Sequence, residues 1–186
     1  MRTLNVATGN RDKFQEIRLA LNRFGIEARQ EDINFVEKES TLEGGVKSKI
    51  RQAWKKVHVP VLVDDTGIFF TAFENFPGHE AKRVFEEIGY EGLLEKLKNK
   101  PRGAYFKAVL AFTEDGKTIT LFDGILEGAI TKKVFPNDRP GFPYDAIFVP
   151  AGSKKPYCQF SREEMLAVSH RAKAVRKFAA WYKTNK

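Results

Sequence analysis

Apolar positions along this chain recur with two different periods, and the switches between them lay out an α/β order. The opening segment LNVAT reads as a buried strand. Gly9 and Asn10 break it before a helix with Phe14, Ile17, Leu21 and Phe24 on one face, and Gly25 stops that helix. A second strand is expected around 26 to 33. Thr41 then caps a helix whose face is Val46, Ile50, Ala53 and Val57. The run VPVLV (59 to 63), rich in β-branched residues, predicts a central strand that ends in Asp64, Asp65, Thr66 and Gly67.

Two short helical segments follow, one around Val84, Phe85 and Ile88 and one around Leu93, Leu94 and Leu97, closed by Pro101. Strict alternation then takes over. Phe106, Ala108, Leu110 and Phe112 share one face, Asp115 and Gly116 make a turn, and Ile119 and Leu121 resume the pattern, which predicts a β-hairpin. A Pro- and Gly-rich loop from Pro136 to Pro143 precedes a short strand at 146 to 149, and a last helix starts near Ser169. With no repeat or linker in view, the expectation is one α/β domain over residues 1 to 186 with a mixed sheet.

Three clusters could carry chemistry. The turn Thr8, Gly9, Asn10, with Lys13 one turn into the helix, offers free backbone N–H groups, a partial positive charge and a full one to a phosphate. The same turn is also a common structural device, because the glycine spacing of a P-loop is absent. Adjacent carboxylates at a strand's end, Asp64 and Asp65, repel and call for a cation. Magnesium, with oxygen ligands and a third carboxylate from Glu37, Glu39 or Glu43, meets that need, although an acidic surface turn reads equally well. The third cluster is Ser169, His170, Arg171 and Lys173. Ser169 suits an N-cap, while Arg171 at a helix start opposes the macrodipole and implies an anionic or aromatic partner.

Composition narrows the classes. The net charge of +8 is regional: residues 154 to 186 hold nine Lys or Arg and two Glu, or +7, leaving about +1 for the rest. That segment suits nucleic acid or a compact polyanion such as a triphosphate. Phe178 and Tyr182 fall at core spacing with Val175 rather than along a stacking stripe, which disfavours nucleic acid. A single cysteine, Cys158, excludes an internal disulfide and a paired-cysteine zinc site. No apolar run reaches eighteen residues and the start carries no secretory pattern, so a cytoplasmic protein without membrane association is expected.

Four stretches, ATGNRDK (7 to 13), PVLVDDTG (60 to 67), GFPYDAIF (141 to 148) and SHRAKA (169 to 174), together resemble the inosine triphosphate pyrophosphatase family from first strand to last helix. The resemblance implies an elongated mixed sheet with flanking helices, two lobes around a nucleotide cleft, and a homodimer. It implies magnesium-dependent hydrolysis of ITP, dITP and XTP to the monophosphate and pyrophosphate. On that pattern Thr8, Asn10, Lys13 and Lys49 hold the triphosphate, Asp65 orients the water, and Glu37, Asp64 and Asp65 bind the metal. Phe142, Tyr144 and Asp145 form the base loop, with Phe142 stacking on the purine. His170 and Arg171 close the pocket around the six-position oxygen. This chain departs from the family at Pro143 for Gly, Ala146 for Pro, Met165 for Lys, and Glu80-Ala81 for Tyr-Ser. Two rival readings stay open: a binding protein on the same fold that uses its basic last third, and a pyrophosphatase for another nucleotide.

Overall fold

The computed structural model describes residues 2–36, 39–139 and 142–185. Strand β1 (Arg2–Ala7) leads into helix α1 (Arg11–Asn22), β2 (Ile26–Glu31), α2 (Leu42–Val57) and β3 (Val61–Phe70). The two-residue β4 (Pro77–Gly78), α3 (Ala81–Lys96), and the long hairpin β5 (Gly103–Thr113) and β6 (Thr120–Ile130) come next. A 3-10 turn (Pro143–Ile147), β7 (Phe148–Pro150), a second 3-10 turn (Tyr157–Gln159), α4 (Arg162–Val168) and α5 (His170–Asn185) complete the chain. The seven strands form one sheet in the order β2-β1-β3-β5-β6-β7, with β4 added to β3. β1 runs parallel to β2 and β3, and the remaining pairings are antiparallel.

Local chemistry accounts for most boundaries. Asn10 caps α1 by accepting from Lys13 N, and Thr41 caps α2 by accepting from Gly44 N. Ser161 and Glu164 form a reciprocal capping box at α4, a helix that apolar spacing alone does not reveal. The two expected helical segments after Pro77 are both present within α3, meeting at Gly89, whose φ of 58° is non-helical.

Side-chain alternation along β3 separates two cores. Leu62 packs with α1 and α5 on one face of the sheet, together with Leu4, Phe14, Ile17 and Phe178. Val61 and Val63 pack with α2 on the other face, against Val46, Ile50 and Ala53. Farther along β3, Ile68 and Phe70 enter a third cluster with Phe106, Tyr144, Phe148 and Tyr157. The long strands β3, β5 and β6 thus run from one packed half of the molecule into another, as a sheet spanning two lobes requires.

The expectation that Asp64 and Asp65 end a strand is corrected. β3 continues to Phe70, and both acids lie in its middle, paired with Leu110 and Val109 of β5. Sheet pleating sends successive side chains to opposite faces. Asp64 therefore shares the α1 and α5 side with Leu62, and Asp65 shares the α2 side with Val63. Their charges are separated by the sheet and not stacked on one turn.

Candidate active site

The site forms where the sheet leaves β3 uncovered. β1 pairs with β3 only at Val61–Val63, and β4 pairs with it only at Ile68 and Phe69. Among the described residues, no strand pairs with that edge of β3 from Asp64 to Gly67. The gap opens directly beyond the carboxyl end of β1, where open α/β sheets characteristically receive ligands.

The phosphate turn stands beside this gap. Thr8 Oγ1 accepts from Asn10 N at 3.1 Å, Asn10 Oδ1 accepts from Lys13 N at 3.0 Å, and Gln30 Nε2 donates to Thr8 O at 2.9 Å. These bonds aim the start of α1 at β3. Lys13 Nζ lies 3.3 Å from Asp64 Oδ2, its side chain 21% exposed while that of Asp64 is fully enclosed.

Arg171 reaches the same carboxylate from α5. Its Nε donates to Asp64 Oδ1 at 3.3 Å, Nη2 donates to Thr66 Oγ1 at 3.0 Å, and Nη1 pairs with Glu16 of α1. The ring of Phe142 lies 5.7 Å from the guanidinium carbon, within cation–π range. The anionic and aromatic partners implied by an arginine at a helix start are thus Asp64, Glu16 and Phe142. Burial alone would raise the Asp64 pKa, but Arg171 and then Lys13 outweigh it and hold the carboxyl at about 2. Burial would likewise weaken the charge on Arg171. Asp64 and Glu16 reverse that and keep it firmly protonated.

Asp65 is held on the opposite face. Lys49 Nζ donates to its Oδ1 at 2.9 Å, and Thr66 N donates to the same oxygen at 3.0 Å. Both bonds fall on Oδ1. Oδ2 is turned toward Gly45 of α2, where an added Cβ would stand 2.7 Å from it. Glycine at this helical position keeps the approach to that oxygen open, a reason the paired glycines of α2 did not disclose in sequence.

The base loop divides. Phe142 caps the 3-10 turn and Pro143 opens it, a position where the fixed proline φ and missing N–H are tolerated. Tyr144, expected in the base loop, is buried there and acts as a strut. Its hydroxyl donates to Ala81 O at 2.8 Å and its ring packs edge-on to Phe70 and Phe85. Burial raises its pKa out of the working range. Asp145 is buried with Oδ2 lacking a hydrogen-bond partner, and burial pushes its carboxyl up to about 7, against the opposing pull of Arg139.

His170 stacks on Phe106, ring centroids 4.9 Å apart, with both ring nitrogens buried and without hydrogen-bond partners. Burial, reinforced by Arg171, holds it neutral by driving its pKa well down. Ser169 Oγ accepts from Ala172 N at 2.9 Å, as an N-cap does.

The structure therefore gathers Lys13, Asp64, Phe142 and Arg171 on one face of β3, with Thr8 and Asn10 at the turn that carries Lys13 and with His170 and Asp145 close enough to feel the Arg171 charge, holds Asp65 with Lys49 on the other face, and packs Tyr144 against Phe70 and Phe85. Glu37 lies outside the described residues. Glu16 and Thr66 were not singled out in sequence. Glu16 was within reach, one helical turn beyond Lys13, whereas Thr66 reads only as turn chemistry. Among the described residues, no group of three or more His, Cys, Asp or Glu is placed to hold a metal ion. None of their helices is long and apolar enough to cross a membrane.

Fold and site together define an α/β protein with a phosphate-type turn facing a cation-held carboxylate at an uncovered strand edge. Residues 4–181 match the model of the Ham1 family, and the chain belongs to that family. A dITP/XTP pyrophosphatase of Methanopyrus kandleri is 37% identical over 181 residues, covering 96% of this chain and 95% of the relative. One from Saccharolobus solfataricus is 39% identical over 178 residues, covering 95% and 91%. Among solved structures, the Staphylococcus aureus Ham1 protein superposes with TM-score 0.80 at 25% identity, covering 98% of this chain and all of that one. A HAM1 protein from Coxiella burnetii reaches 0.82 at 24% identity, covering 99% and 100%, and carries the fold.

Proposed function

We propose that this chain is a nucleoside triphosphate pyrophosphatase that converts non-standard purine triphosphates, dITP, ITP and XTP, to the monophosphate and pyrophosphate. Homologues of that name across nearly the whole chain support the reaction class. The observation that carries it onto these residues is the meeting of Lys13 and Arg171, from opposite ends of the chain, on Asp64 beside the uncovered edge of β3.

Lys13 is the mobile member of that meeting, because its long side chain is partly exposed while Arg171 and Asp64 are enclosed. An entering triphosphate competes with Asp64 for the Lys13 ammonium and takes the N–H groups at the start of α1. Arg171 stays and keeps the buried carboxylate neutralised. Lys49 fixes Asp65 through Oδ1, which leaves Oδ2, beside Gly45, to orient a water for attack on the α–β phosphoanhydride. The new bond joins the water oxygen to phosphorus, and the bridging oxygen departs with pyrophosphate.

The donor chemistry fits magnesium: Asp65 Oδ2, beside Gly45, Glu37, and Asp64 reaching round the unpaired edge of β3 once Lys13 turns to phosphate would be hard oxygen ligands. A bound magnesium ion would neutralise phosphate charge and polarise the phosphorus centre. On the base side, Phe142 offers a stacking ring, and Asp145 and His170 offer buried polar atoms that are unsatisfied without a ligand. A homodimer in the cytoplasm is the form the family resemblance supports, and sedimentation measures the first of these.

The test is pyrophosphate release from a panel of nucleoside triphosphates with magnesium and with chelator. ITP and XTP well above ATP and GTP, with silence in chelator, is expected. Equal turnover of ATP would overturn the base selection, and no turnover of any nucleotide would favour a binding protein.

A further inference from the structure

The buried polar atoms left unpaired at this site are Asp145 Oδ2, both nitrogens of His170 and the hydroxyl of Tyr157. Native proteins rarely leave such groups orphaned, and a cluster of them marks where a ligand completes the bonding. The cation nearest to Asp145 is Arg139, whose Nη2 stands 3.6 Å from Oδ2, beyond hydrogen-bond reach. Nη2 donates instead to Tyr157 O at 2.8 Å, while Nη1 rests on Met165 Sδ. A thioether is a weak acceptor, so a fork of five strong donors is poorly matched by its present partners. The guanidinium also lies 6.0 Å from the Tyr157 ring centre.

One clip sets Arg139 and the stacking ring together. Asn137 Nδ2 donates to both Arg139 O (3.1 Å) and Phe142 O (3.0 Å), and Asn137 Oδ1 accepts from Arg139 N at 3.0 Å. Phe142 N donates to Arg139 O at 3.1 Å, and Asp145 N to Phe142 O at 3.2 Å. The aromatic platform, the orphaned carboxylate and the guanidinium are therefore tied together by one set of hydrogen bonds.

We propose that Arg139 is a specificity-determining residue of this site, donating to the purine's six-position oxygen while Asp145 accepts from the adjacent N1–H. This rests on the pyrophosphatase reading above. An acceptor beside a donor matches the lactam edge of hypoxanthine and xanthine. Adenine presents the two in reverse order, an amino donor at position six and an acceptor at N1, so in the same seat it meets like groups with like. Met165 seats the guanidinium without competing for its protons.

The test compares wild type with Arg139→Gln and Arg139→Lys on ITP, ATP and the triphosphate of unsubstituted purine riboside, which lacks the six-position oxygen. Arg139→Gln is expected to raise KM for ITP about tenfold or more with little change in kcat, and to reduce the preference for ITP over the purine analogue, leaving only the part that Asp145 reads from the N1–H the analogue also lacks. Arg139→Lys, which keeps the charge and donors, is expected to restore part of that preference. Equal losses on all three substrates, accompanied by a lowered melting temperature, would show a merely structural residue and overturn the proposal. So would an unchanged preference in Arg139→Gln. If Arg139→Gln does not fold, Arg139→Lys with unaltered KM on ITP and a wild-type enzyme indifferent to the missing oxygen give the same refutation. A wild type inactive on every triphosphate would instead sink the pyrophosphatase reading itself.

Discussion

Arg171 Nε and Asp64 Oδ1 lie 3.3 Å apart, both side chains almost wholly enclosed, joining the first residue pair of α5 to the middle of β3 across 107 positions of sequence. Removing one partner of such a pair leaves a buried charge without compensation, a larger effect than the pair's own net worth.

Arg171→Met is therefore expected to lower unfolding free energy by about 3 kcal/mol, since it leaves Lys13 alone to balance the buried Asp64 and takes the cation from Glu16. Urea denaturation at neutral pH measures this. A loss below about 1 kcal/mol would mean the two carboxylates find other partners.

Gly45→Ala separates the site from the fold. In a helix interior alanine is favoured over glycine by roughly 1 kcal/mol, so the melting temperature should hold or rise. The new Cβ, however, meets Asp65 Oδ2 at 2.7 Å, closer than real contacts allow. Displacing a positioned catalytic oxygen should lower kcat by about one to two powers of ten. A stable variant with undiminished turnover would remove Oδ2 from the mechanism.

Asp65→Asn retains shape but loses the second anionic oxygen. Nucleotide binding should persist, read by calorimetry in the presence of magnesium, while hydrolysis falls by about two to four powers of ten. Near-normal hydrolysis would count against Asp65 as the group that orients water.

Asp145 makes the ligand-free protein sensitive to pH. Its carboxyl pKa is raised from 3.8 to about 7, so the fold favours the neutral form. The stability this contributes is present below about pH 4 and is lost as pH rises through 7. Asp64, held at about 2, works in the other sense but only at lower pH, where its contribution is lost as pH falls through 2. Between pH 5 and 8 the urea midpoint of the wild type should fall, and Asp145→Asn should flatten that fall. A variant that keeps the full wild-type slope would assign the effect to other groups.

Much of this architecture is legible along the chain because it depends on near neighbours. The caps Asn10 and Thr41, the hairpin turn at Asp115 and the apolar faces of α1 and α2 are matters of spacing within a few residues. The short helix α4 was missed because its start is written in a capping box rather than in apolar periodicity. The length of β3 was misread for a related reason: Asp64, Asp65, Thr66 and Gly67 have the chemistry of a turn, and only pairing with β5 keeps them extended.

The sequence by itself determined the α/β order, the phosphate turn, the acidic pair and the basic start of the last helix, since each is a local pattern of residue types. Only the tertiary structure decided how they act. It put Asp64 and Asp65 on opposite faces of the sheet, buried Tyr144 as a strut, brought Glu16 and Thr66 to Arg171, and set Arg139 beside Asp145. The contacts of Tyr144, Glu16 and Thr66 join residues 63 to 155 positions apart, and even the near pairs take their geometry from the fold. They arise from strand pairing and burial, which fix charges against one another only once the cores on either side of β3 have closed.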